Sequence, residues 1–107
     1  PGISASYRND LHAYSVALRA WTDLSSPASG SPPVPRFGHG MAAWEGVIYI
    51  FGGLPGISAS YRNDLHAYSV ALRAWTDLSS PASGSPPVPR FGHGMAAWEG
   101  VIYIFGG

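Results

Sequence analysis

A chain of 107 residues is the size of one ordinary domain, and its charged fraction of 11% is under half the globular average of roughly 25%. Six arginines, no lysine and six acidic residues balance to formal neutrality, which excludes the basic footprint of a nucleic-acid or anionic-membrane binder. Without cysteine there are no disulfides, thiolate metal sites or thiol chemistry, and the longest apolar run, Val47–Phe51, is far short of a bilayer span. No signal-peptide pattern opens the sequence, so the cellular address stays open and compatible with cytoplasmic expression.

Residues 1–53 and 55–107 are one string written twice and joined by Leu54, so each element appears in two copies. A period near 50 residues marks solenoids, propellers and arrays. Identity in loops as well as core points to an engineered or very recently duplicated chain. In chain order, Asp10–Ser15 and the residues up to Leu24 repeat as Asp64–Ser69 and Ala74–Leu78, two short strands around a turn at Val70–Arg73. In the first of these, Leu65 and Ala67 alternate with His66 and Tyr68. A helix over Leu65–Trp75 has neither a cap nor a sustained apolar stripe to support it. Ser79–Pro89 holds five prolines or glycines in eleven residues and reads as a surface loop. Phe37–Trp44 is extended and rich in small residues, and Glu45-Gly46 is a two-residue hairpin signal. Val47–Phe51 is β-branched and aromatic without polar alternation, as in a strand covered on both faces. Gly52-Gly53 ends it, and Leu54–Asn63 is a loop.

Arg36, His39, Gly52, Gly53, Tyr68 and Trp75 form the series Arg-x-x-His, a strand ending in diglycine, then Tyr and, seven residues on, Trp. The series recurs as Arg90, His93, Gly106 and Gly107, with Tyr14 and Trp21 as the earlier counterparts. It resembles the kelch repeat of β-propellers over essentially the whole chain. The resemblance implies an all-β fold of four-stranded antiparallel blades, strands A (innermost) to D (outermost), arranged around a channel. Small residues in strand A suit a crowded axis, and the diglycine leaves room that a Cβ would fill.

On that plan residues 1–35 supply strands C and D of a composite blade, residues 36–78 one complete blade, and residues 79–107 the D–A loop and strands A and B of the next. Two edges are then expected to lack partners: Leu11, Ala13 and Tyr14 on one, Ile102, Ile104 and Phe105 on the other. Bare apolar edges template association, so head-to-tail pairing of identical chains is expected. A six-bladed ring of three chains is the first expectation and an eight-bladed ring of four chains the second. The break between Gly107 and Pro1, where no leucine stands, would fall in a loop.

Candidate sites are few. Arg36 and Arg90 at the channel mouth are placed either to ring an anion or to bond loop carbonyls and pair with Asp64 or Asp77. His39 and His93 beside the channel are either metal ligands or structural hydrogen bonders, and His12 and His66 on strand C offer flank positions for metal. Tyr14, Tyr68, Trp21 and Trp75 read as blade core. Trp44 and Trp98 are either filler between blades or exposed rings near the short turns. With no cysteine, no lysine, no nucleophile elbow and no phosphate loop, an enzyme is not expected and no cofactor is implied. The expected function is a symmetric self-assembling scaffold without a natural substrate. The alternative, implied by kelch domains of ubiquitin-ligase adaptors and actin-associated proteins, is a protein- or peptide-binding module. That module would use the face shared by the B–C and D–A loops. Identical copies weigh against the alternative, since asymmetric ligands usually need asymmetric pockets.

Overall fold

A computed structural model of the chain describes residues 7–25, 29–56, 60–80 and 84–107. Parts of the expected loops, residues 57–59 and 81–83, lie outside the described residues. Eight strands are present: β1 (His12–Ser15), β2 (Ala20–Asp23), β3 (Gly40–Trp44), β4 (Val47–Gly53), β5 (Arg62–Ser69), β6 (Ala74–Asp77), β7 (Gly94–Trp98) and β8 (Val101–Phe105). They form a four-stranded antiparallel sheet, β3-β4-β5-β6, flanked by the two-stranded sheets β1-β2 and β7-β8. The fold is all-β, and residues 65–75 form a strand pair rather than a helix.

Local chemistry sets each turn. Glu45 and Gly46 have φ of 48° and 80°, the double left-handed step of a type I′ hairpin, and they bring Trp44 opposite Val47. The turn between β5 and β6 closes through Arg73 N–H donating to the Ser69 carbonyl at 2.8 Å, with Arg73 itself at φ 53°. The diglycine lies inside β4 rather than after it, and the register against β5 slips between Phe51 and Gly53 as in a bulge. There the chain is closely hemmed. A Cβ on Gly52 would meet the Arg90 carbonyl at 2.9 Å, and one on Gly53 the Phe37 carbonyl at the same distance. At Gly52 the space is shared by neighbouring backbone and the His93 imidazole, which also stands 2.9 Å from that Cβ position.

Phe51, Ala67, Tyr68 and Trp75 make the apolar core of the four-stranded sheet, with Arg36, His66 and His93 buried among them. β5 is buried on both faces across His66, Ala67 and Tyr68, so its alternation does not divide a core face from a wet one. Neighbouring units lie inner strand to inner strand, β3 beside β7, and a Cβ on Gly40 would meet the His93 imidazole at 2.7 Å. The connection after β2 is not a free loop. Ser29 forms a parallel bridge with Ala74 on the outer edge of β6, and Gly30, at φ 77°, leaves no room for a Cβ beside the Trp75 carbonyl.

Candidate functional site

The two ends of the four-stranded sheet differ in kind. At one end the tight turns meet, Val70 N–H donating to the Gly46 carbonyl at 2.9 Å. Trp98 stands exposed near the matching turn of β7-β8, while Trp44 is half-buried. At the other end the long connections meet and are braced together. Phe37 and Leu54 exchange backbone hydrogen bonds, and Leu65 N–H donates to Ser79 Oγ. Asn63 Nδ2 donates to the Pro87 carbonyl at 3.1 Å, as Asn9 does to Pro33 at 3.0 Å. A binding surface at this end is therefore carried on anchored backbone.

The Arg36 side chain takes the second of its two expected roles, bonding loop carbonyls and pairing with Asp64. It is buried, and it donates Nε to the Val34 carbonyl, Nη1 to the Gly52 carbonyl and both Nη groups to Asp64 at 2.8 and 3.0 Å. Two carbonyls and a bidentate carboxylate occupy four of the five N–H donors of the fork, so its charge is already spent within the chain. Burial pushes Asp64 up, but hydrogen bonds and charge from Arg36 and His66 outweigh it and hold the carboxyl at about 2. His66 Nε2 lies 2.9 Å from the second Asp64 oxygen, completing an Arg–Asp–His cluster at the head of β5. Asp77, the other carboxylate expected for Arg36, instead accepts from Ser79 N–H at 2.9 Å.

His39 and His93 do not gather around a point. His93 is buried, its Nε2 donates to the Phe51 carbonyl at 2.9 Å, and its ring stands edge-on to Phe51 at 5.7 Å. His39, its sequence counterpart, is exposed; partial desolvation, then the charges of Arg36 and His93, lower its pKa. His12 pairs with Asp10 at 3.0 Å as His66 does with Asp64. Among the described residues no three of His, Asp and Glu are placed to hold a metal ion.

The end bearing the long connections also carries a feature that sequence reasoning missed. Tyr7, Phe37, Phe91 and Tyr61 stack in a row with ring centroids 4.8, 5.9 and 5.0 Å apart, each pair tilted. Phe37, Phe91 and Tyr61 are exposed and Tyr7 half-buried. A cleft of about 260 Å³ opens beside Tyr61 and Arg62, and another of about 440 Å³ lies between Ser31–Pro32, the start of β5 and the end of β6. The row joins residues from four separate connecting segments, so no local pattern announces it. The signal available was an aromatic directly after Arg36 and another before Arg62, recurring at the same phase of each copy.

A four-stranded antiparallel sheet flanked by two two-stranded ones, with Arg36 and Arg90 each donating to a diglycine carbonyl, defines an all-β repeat protein of antiparallel units. The KLHDC2/KLHL20/DRC7 Kelch-repeats domain matches residues 2–107, and the chain belongs to the kelch-repeat family. It is similar to human Kelch domain-containing protein 10, 36% identical over 100 residues that cover 92% of this chain and 22% of that protein. It is also 32% identical over 104 residues to the Leucine-zipper-like transcriptional regulator 1 homolog of Drosophila melanogaster, covering 92% of this chain and 10% of that one. Human Host cell factor 2 matches at 30% over 108 residues, 99% of this chain and 13% of its own length. The chain thus spans less than a quarter of each of these relatives.

Proposed function

We propose that the chain is a protein- or peptide-binding module without catalytic activity, and that it binds through the end bearing the long connections. The observation that carries this reading is the exposed row Tyr7–Phe37–Phe91–Tyr61, a contiguous aromatic surface on braced backbone. Exposed apolar surface of this kind marks interaction sites, and aromatic anchors dominate binding energy. Kelch membership supports an interaction module over a scaffold with no partner. Identical copies need not count against it: two equivalent Tyr–Phe pairs suit an extended segment that presents apolar or proline residues at a regular spacing.

Selection of a displayed random peptide library on the chain tests the reading, followed by titration of the enriched peptides against Phe91→Ser and Tyr61→Ser. Enriched peptides that lose at least about tenfold in affinity for either variant support it. No enrichment, or peptides indifferent to both substitutions, would overturn it.

A further inference from the structure

The segment between β2 and β3 is pinned to the four-stranded sheet at both ends. Ser29 N–H donates to the Arg73 carbonyl at 3.0 Å and its carbonyl accepts from Trp75 N–H at 2.9 Å, while Arg36 is held by Asp64. Between the two pins, Pro32, Pro33 and Pro35 each fix their own φ. Ser31 and Pro32 form one wall of the cleft of about 440 Å³, and Arg62 of β5 and Asp77 of β6 stand across it. A cleft of that volume lies within the range of ligand sites, and its walls are set by anchored backbone.

Four charged side chains line it: Arg36, Arg62, Asp64 and Asp77. Arg36 and Asp64 spend their charges on each other in the bidentate pair. Arg62 and Asp77 are exposed, and among the described residues neither forms an ion pair, with the other or with any third group. Hydrogen bonds from the Ser79 side chain and N–H hold the Asp77 carboxyl below its usual range, so it is ionised at neutral pH. Neighbouring units do not decide this state. Arg8 and Asp23, the same residues in other surroundings, are likewise exposed and form no ion pair among the described residues. Arg62 also lines the smaller cleft beside Tyr61, so the cation adjoins the aromatic row, whereas Asp77 stands on the outermost strand of the sheet.

We propose that this cleft takes two adjacent, oppositely charged side chains of an extended peptide, the acidic one against Arg62 and the basic one against Asp77. Apolar residues of the same peptide lie on the aromatic row. The proposal rests on the row being a peptide-binding surface, and it adds an order that stacked rings cannot impose by themselves: apolar, then acidic, then basic, outward from the row. Charge complementarity selects this ligand. A wholly acidic segment would set an anion against Asp77, and a wholly basic one a cation against Arg62, and such like-charge contacts reject a partner.

A displayed random peptide library, selected in parallel on the wild-type chain and on the charge-exchanged variant Arg62→Glu/Asp77→Arg, tests this. Wild type should enrich peptides with an acidic and a basic residue side by side next to an apolar run, and the exchanged chain should enrich peptides with the two charges transposed. Glutamine in place of the acidic residue should weaken an enriched peptide at least about tenfold on wild type, yet change its binding to Arg62→Gln by less than about twofold. Should the exchanged chain fail to fold, that comparison at the exposed Arg62 carries the test alone. Peptides without the charge pair, or the same peptides enriched on both chains, would sink the proposal. The aromatic row keeps its role if those peptides still lose affinity for Phe91→Ser and Tyr61→Ser, and loses it as well if they do not.

Discussion

Arg36 and Arg90 show how the fate of a side chain depends on what lies opposite it. Arg36 and Asp64 meet with little solvent between them, so the ion pair can be broken only by leaving one charge buried and alone. Asp64→Asn should therefore cost about 3 kcal/mol at neutral pH, measured by urea unfolding. The same pair sets an acid response. A carboxyl held near 2 in the folded chain and near 3.8 when unfolded contributes stability above pH 4, and that contribution fades as pH falls from 4 toward 2. Wild type should lose stability across that window, while Asp64→Asn, already lacking the contribution, should change less. Tyr68 makes the opposite case. Its hydroxyl is buried with no hydrogen-bond partner among the described residues, so burial of that oxygen is a cost the phenyl ring does not carry. Tyr68→Phe should leave the melting temperature unchanged or raise it.

At the scale of elements, the strands were legible because each signal is local. The run Val47–Phe51 and the Glu45-Gly46 step fix a hairpin by themselves, and both are found where the sequence puts them. What stayed hidden depends on residues one copy apart. The aromatic row and the docking of Ser29 on β6 both arise between units. One sequence also gives strands of different length: β5 runs over Arg62–Ser69 between two neighbours, whereas β1 with one neighbour covers only His12–Ser15. Pairing, not propensity, extends the strand. The glycines respond to the same context. Gly52→Ala sets a Cβ against the Arg90 carbonyl at a left-handed φ, and should cost about 3 kcal/mol in thermal unfolding. Gly106→Ala, at φ 76° with nothing within 4 Å, should cost only about 1 kcal/mol.

At the scale of the molecule, two copies of one sequence turn symmetry into a measurable quantity. The chain holds four tryptophans, two from each copy, and in the single chain every one has its own surroundings: Trp75 is buried where Trp21 is open, and Trp44 is half-buried where Trp98 is exposed. A nitrogen–proton correlation spectrum of the isolated chain should therefore show four distinct indole signals. Two signals in place of four would mean that the copies share surroundings, which the unequal exposures of these rings exclude.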